Sequence, residues 1–292
     1  MRKIALATLF IIFSATMVTL AQLALPQPSP KASVMYTVGL TEVAVTYSSP
    51  AVNGREIWGN LVPYNEVWRT GANTATEISF STDVLVAGKE VKAGKYALFT
   101  IPMADKWTVI LNSNAGQWGS TNYKKELDVI RFEVQPEKLQ DSKERLGFYI
   151  NHVSADEAHV VMKWEKLKLK FPVNVDSKSQ AFASINKHFN NTPADWYPYA
   201  NACNYLLANG GDAKDALMYA NRATSLNPNH FMAHWAKARA HAALGEPKEA
   251  TAAAQAAKAA GEASPSGWYA MNKAEIEASI ASWSKEKPAR KK

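Results

Sequence analysis

"HVVMKWEKLKLKFPVNVDSKSQAFASINKHF", residues 159–189, contains the change of rhythm that decides the fold. Val160, Met162 and Trp164 recur at every second position, as on a strand with one buried face. Leu167, Leu169, Phe171 and Val173 keep that period with the opposite parity. A period of two cannot change parity without an extra residue, so a bulge is expected near Glu165-Lys166. Lys166, Lys168 and Lys170 then face water, the charge pattern of an edge strand. From Ser177 the spacing becomes helical, with Ala181, Phe182, Ile185 and Phe189 on one face.

Upstream of this switch the period of two holds back to Ser33. "EVAVTYS" (42–48), "EISFSTDVLV" (77–86), "KYALFTI" (95–101), "KWTVILN" (106–112), "VIRFEV" (129–134) and "RLGFYINHV" (145–153) alternate between Gly, Asn, Asp and Pro turns. Many short strands with no helical pattern between them predict an all-β antiparallel β-sandwich over 33–175. Downstream, Gly211 recurs as Gly245, Ala216 as Ala250, Ala220 as Ala254 and Ala223 as Ala257. Small residues at this 34-residue spacing let paired helices approach closely, which predicts an all-α helical-hairpin domain over 178–284. Thr192-Pro193 and Pro247 suit helix starts and Asn227-Pro228 an exit. Two helix pairs, a closing helix over 266–283 and a helix over 178–190 packed in front are expected. Residues 193–284 thus resemble the tetratricopeptide family, with departures at Ala200, His234, Leu207 and His241.

Met1-Arg2-Lys3, an apolar run from Ile4 to Leu20 and small residues before Gln22 read as a signal peptide over 1–21. A retained anchor is the competing reading, weakened by Ser14 and by Thr8, Thr16 and Thr19. Residues 22–32 are expected to be a linker, and 285–292, "KEKPARKK", a basic disordered tail. The formal charge of +7 resides mainly in these two ends, and residues 22–284 carry +1. A nearly neutral exported body is not a nucleic-acid-binding surface. After signal cleavage no integral membrane span is expected. Cys203 is the single cysteine, so no disulfide forms within the chain and no thiolate zinc site is available. Together these features place the protein in the periplasm or outside the cell, in the bacterial envelope.

The run "GLTEVAVTYSSPAVNGREIWGNLVPYNEVWRTGANTATEISFSTDV", with "AGKYALFTIP" and "WTVILN…QWG", resembles the family called domain of unknown function 2911. The likeness spans about 29–175. It implies an exported protein, and frequently a helical-repeat tail, but no catalytic residues.

Within that run, the connection between two strands holds Arg55, Trp58, Tyr64, Trp68, Arg69 and Asn73. One reading pins a loop: Arg69, with five donors and no acceptor, is buried against several oxygens and stacked on a tryptophan. Removing it would then unfold the domain, at about 3–5 kcal/mol. The other reading makes Trp58, Tyr64, Trp68 and Trp118 flat faces for a glycan, with Arg55, Arg69 and Asn73 hydrogen-bonding its hydroxyls or carboxylate. A carbohydrate-active hydrolase using Glu56, Glu66 or Glu77 near Trp68 is an alternative, since such chemistry needs two carboxylates across one cleft. A purely structural envelope protein is a third. His230, His234 and His241 share a helix face, but packing histidines account for them better than zinc. No catalytic residue, metal or cofactor is assigned. In the repeat, Asn201, Trp235 and Tyr269 form one groove row and Tyr205, Arg239 and Lys273 another, a candidate surface for an acidic protein or peptide.

Overall fold

The computed structural model describes residues 25–191 and 195–285. The leader over 1–21, the tail from 286 and the Thr192-Pro193 helix start lie outside the described residues. Ten strands come first: β1 (Lys31–Val38), β2 (Thr41–Ser48), β3 (Thr76–Phe80), β4 (Val84–Val86), β5 (Lys89–Val91), β6 (Gly94–Ile101), β7 (Trp107–Asn112), β8 (Asp128–Val134), β9 (Glu137–Ser154) and β10 (Glu157–Asn174). They pair antiparallel in two sheets, β1-β2-β3-β6-β7-β8 and β5-β4-β10-β9. Val43, Val45, Ile78, Leu98, Val109 and Leu111 of the first sheet meet Phe148, Val160, Met162, Leu169, Phe171 and Val173 of the second in one core. That is a sandwich, as the alternation predicts. Burial of each such side chain contributes about 1.5–3 kcal/mol.

The parity change is a bulge. Glu165 has φ 52°, and the β9–β10 register shifts on both sides of it. Trp164 and Leu169 therefore both face the core, 1% and 2% exposed. β4 pairs with β10 only at Val173 and Asn174, so along Lys166–Lys170 β9 is the one paired neighbour among the described residues and the edge expectation holds for that stretch. Lys168 and Lys170 pair with Glu137 of β9 at 2.7 and 3.0 Å, so they knit strands together. "EISFSTDVLV" is corrected: it is two strands in different sheets, turned at Ser81–Asp83. Asp83 holds that turn by accepting from the Ala93 amide at 2.9 Å.

Six helices follow: α1 (Ser177–Asn191), α2 (Trp196–Ala208), α3 (Ala213–Leu226), α4 (Phe231–Ala243), α5 (Pro247–Ala263) and α6 (Gly267–Trp283). Asp195, Asp212, His230 and Ser266 cap their helices by accepting from backbone amides, which satisfies otherwise orphaned donors. α2 packs on α3 and α4 on α5, and the pairs stack through α3–α4, α2–α4 and α4–α6. Ala216, Ala220, Ala223, Ala250, Ala254 and Ala257 are all fully buried where the helices approach. Among the described residues no helix is long and apolar enough to cross a membrane.

Only Val175 and Asp176 separate β10 from α1. Asp176 accepts from the Ser179 amide at 2.9 Å and starts the helix. Gln180 donates to Thr41 and Thr82 of the sandwich at 3.2 and 3.0 Å.

Replacing Glu165 by glycine should change stability by less than about 1 kcal/mol, because glycine tolerates the left-handed backbone. Valine there should cost more than about 1 kcal/mol. Chemical denaturation checks both, and equal stability of the two variants would rule out the bulge.

Candidate functional site

Residues 49–75 connect β2 to β3, yet they do not form a surface loop. Val52, Ile57, Val62 and Trp68 enter the sandwich core, and Trp58 packs against it. Trp68 exchanges backbone hydrogen bonds with Thr100 at 2.8 and 2.9 Å, extending the sheet by one position beside β6. Its ring, 9% exposed, lies 5.8 Å from Trp58, 6.2 Å from Trp107 and 5.8 Å from Trp164. Trp58 in turn meets Trp107 at 4.9 Å and Trp164 at 5.6 Å, both edge to face. Such pairs contribute about 0.5–1.5 kcal/mol each beyond the area they bury.

The Thr70–Asn73 turn is held as tightly. Thr70 has φ 52°, an unusual conformation for a β-branched residue. Its hydroxyl meets that of Thr100 at 3.1 Å, and its carbonyl accepts from Thr76 Oγ1 at 2.8 Å. A Cβ on Gly71 would stand 2.9 Å from Thr76 Oγ1 and 3.2 Å from the Ser48 carbonyl, so only glycine fits. Asn73, at φ 58°, donates to the Ser29 carbonyl and to Ser48 Oγ, both at 3.3 Å.

These contacts overturn the joint aromatic platform. The Trp58 and Trp68 rings pack on other indoles, because large apolar surfaces lower the free energy most when removed from water. Tyr64 and Trp118 remain exposed, at 40% and 68%. Arg55 is exposed and donates to the Val52 carbonyl at 3.0 Å and to the Ala51 carbonyl, bracing its own turn. Arg69 also departs from expectation. Alternation along the strand turns it to the outer face of the six-stranded sheet, half-buried, with Nε buried and without a hydrogen-bond partner. Burial alone lowers its pKa. Glu56 and Glu66 are exposed, and Glu77 pairs with Lys95 at 3.3 Å, so no carboxylate pair is assembled at the buried Trp68.

What the motif does shape is a shelf on that outer face. A cavity of about 290 Å³ is lined by Lys31, Thr46, Ser48, Thr74, Glu77 and Lys95, with Gly116 at its rim. Asn73 anchors one wall through Ser48, and a β-bridge joins Thr74 of the lining to the exposed Trp118, which does not itself line the cavity. Sequence reasoning missed Lys31 and Lys95. The signal was their parity, which puts both on the face of Thr46 and Glu77.

The helical half holds a different cleft. Leu40 of the β1–β2 turn, Ala181, Ile185 and Phe189 of α1, and Pro198, Asn201, Ala202 and Tyr205 of α2 enclose about 410 Å³. Phe189 stacks on Tyr199 at 3.9 Å and Phe182 meets Tyr205 edge to face at 6.0 Å, fixing α1 in front of α2. Asn201 and Tyr205 therefore do line one surface. Trp235 and Tyr269 do not, since each is 5% exposed. Trp235 stacks on Trp283 and Tyr269 packs on Phe231. The frame slips by one: left-handed glycines stand at Gly210 and Gly245, and caps at Asp195 and His230, while Asp212 and Glu246 keep the shorter spacing. By the longer spacing Trp235 corresponds to Ala200, which is fully buried. Arg239 is half-buried with Nη1 3.4 Å from Asn204, and Lys273 lies 3.8 Å from Glu262.

The three histidines diverge. His230 accepts from the Met232 amide at 3.2 Å, His234 meets the Pro228 carbonyl at 2.7 Å, and His241 meets Glu246 at 2.8 Å. Among the described residues no three metal-ligating side chains converge on one ion. Cys203, fully buried, has its thiol pushed up to about 12 by burial.

Two outcomes test these assignments. Arg69→Met should leave the melting temperature unchanged or raise it, because methionine keeps the stem and removes an unpaired charge. Unfolding of that variant would restore the pinned-arginine reading. Burial also lowers the pKa of His230, whose neutral Nδ1 caps α4. Below about pH 6.5 the unfolded chain binds the proton first, so stability falls as pH falls through that window. His230→Asn keeps a cap and should remove this part of the pH slope, read from helical circular dichroism on heating.

Residues 29–173 match the family model described as "Protein of unknown function (DUF2911)". No curated protein matches the chain. Among solved structures, the "TPR2B-domain:pHsp70-complex of yeast Sti1" is 23% identical over 37% of this chain and 84% of that one, with a TM-score of 0.33. So loose a superposition adds nothing to the helical pairing described above.

Proposed function

We propose that this chain, whose β-domain belongs to that family of unknown function, is an exported, non-enzymatic binding or scaffold protein of the bacterial envelope. The apolar cleft between α1 and α2 carries this reading. Its walls are mostly carbon, yet Asn201 and Ser184 stand at its margin to fix a backbone. A concave apolar space with a few polar groups suits one apolar side chain of an extended peptide. The apolar leader read over 1–21 supports export.

A second reading, in which the sandwich binds a glycan, is favoured by the shelf beside Trp118. It replaces the platform of core-packed tryptophans with hydroxyl and charged groups that water reaches. The hydrolase alternative finds less support there, since Glu77 is the one carboxylate lining that cavity.

Ser184, exposed on α1 at the cleft, is the position to test. Peptides selected for binding to the whole protein should bind Ser184→Trp at least about tenfold more weakly, with an unchanged melting temperature. Equal binding by both proteins would remove the cleft from the proposal.

A further inference from the structure

Strand register decides which side chains share the outer face of the six-stranded sheet. Lys31 pairs with Ser48, Ser33 with Thr46, Thr46 with Glu77, and Ser79 with Lys95. Partners across a ladder point the same way, so Lys31, Thr46, Ser48, Glu77 and Lys95 rise from one surface. β1 and β6 are three strand spacings apart, and Lys95 is level with Met35, four positions along from Lys31, so the two lysine Cα atoms are roughly 20 Å apart on the diagonal. Two long side chains reaching toward each other across Thr46 and Glu77 leave room between their ammoniums for a single small ring. The cavity they bound, about 290 Å³, is near the lower end of ligand pockets.

We infer that this shelf is a saccharide site selective for an acidic sugar, one carrying a carboxylate on its ring. The inference rests on the glycan reading above and adds the charge of the ligand. Lys95 shares Glu77, at 3.3 Å, whereas among the described residues Lys31 has no ion-pair or hydrogen-bond partner for its ammonium. Two cations facing one carboxylate leave a single positive charge, which one ligand carboxylate neutralises. Glu77 then accepts from a ring hydroxyl and disfavours a multiply charged inorganic anion. Thr46 and Thr74 offer hydroxyls that both donate and accept, matching a polyol.

Trp118, 68% exposed, is bridged to Thr74 of the lining, and in the inferred complex its indole would supply an apolar face at the margin of these groups. Its position is fixed by the motif: the Ala75 amide donates to the Gln117 carbonyl at 2.9 Å, and the Gly119 amide to the Asn73 carbonyl at 3.1 Å. The left-handed Thr70 and Asn73 backbone is thereby coupled to the wall of the site. Preorganisation of this kind lowers the entropic cost of binding.

Titration of the whole protein with glucuronic acid, glucose and inorganic phosphate, followed by amide chemical shifts, tests the inference. Glucuronic acid should bind at least about tenfold tighter than glucose and lose affinity between about 0.05 and 0.5 M salt. Lys31→Gln, at an exposed position, should abolish that preference with an unchanged melting temperature. Trp118→Ala should weaken both sugars together. Equal affinity for glucose and glucuronic acid would overturn the charge selectivity and leave the glycan reading standing. Shifts from neither sugar would overturn both. Tightest binding by phosphate would make this an anion site and overturn the saccharide.

Discussion

Four indoles, Trp58, Trp68, Trp107 and Trp164, hold the β-domain's long connection inside the sandwich. Trp107 comes from one sheet and Trp164 from the other, so the two rings contributed by residues 49–75 bridge both layers. Without them that segment would have to be a mobile loop of more than two dozen residues, which compact domains seldom tolerate (connections beyond about 12–15 residues are uncommon). Every later feature inherits this constraint. Trp68 fixes the strand position of Arg69, the Thr70–Asn73 turn follows, and that turn bonds to the segment carrying Trp118.

The sandwich and its bulge were legible because side-chain parity is local and nearly binary. Val160 to Val173 reports its own buried face whatever surrounds it. Other features depend on distant partners, and parity is silent about those. Ser81–Asp83 breaks "EISFSTDVLV" between sheets because of a bond to Ala93, ten residues away. That Lys168 and Lys170 also pair with Glu137 was not legible, because Glu137 lies far off in sequence. In the repeats, equal spacing of Ala216 and Ala250 fixed the second helices, yet one extra residue at Gly210-Gly211 shifted the first helices unseen.

The candidate site shows the same limit more sharply. A cluster of Trp, Tyr, Arg and Asn is compatible with a core plug or with a sugar platform, since both use flat apolar faces and directional donors. Accessibility separates them, and composition does not contain it. Packing against other indoles removed the buried Trp68 and the half-buried Trp58 from a joint platform, whereas Asn73 and Trp118 are bonded to residues lining a cavity whose lysines carried no obvious signal. Parity could have nominated Lys31 and Lys95. Only the pairing of β1 with β2, of β2 with β3 and of β3 with β6 shows that they rise from one surface, four positions apart along it.

Arg69 is the residue that this architecture leaves least satisfied. Alternation with the buried Trp68 turns it to the outer face of the six-stranded sheet, the face on which Ala75, Ala97, Phe99 and Ile110 form a small second core. An arginine covers such surface with three methylenes while its terminal nitrogens reach toward water. The desolvated Nε is a cost carried by the strongly held turn that follows. A cation in that place also adds positive potential to the face that holds Lys31 and Lys95. Toward a ligand of the kind inferred above it would act through the field, which falls off within about 10 Å at moderate salt, and not through a hydrogen bond. Structural and electrostatic roles thus belong to different atoms of one side chain.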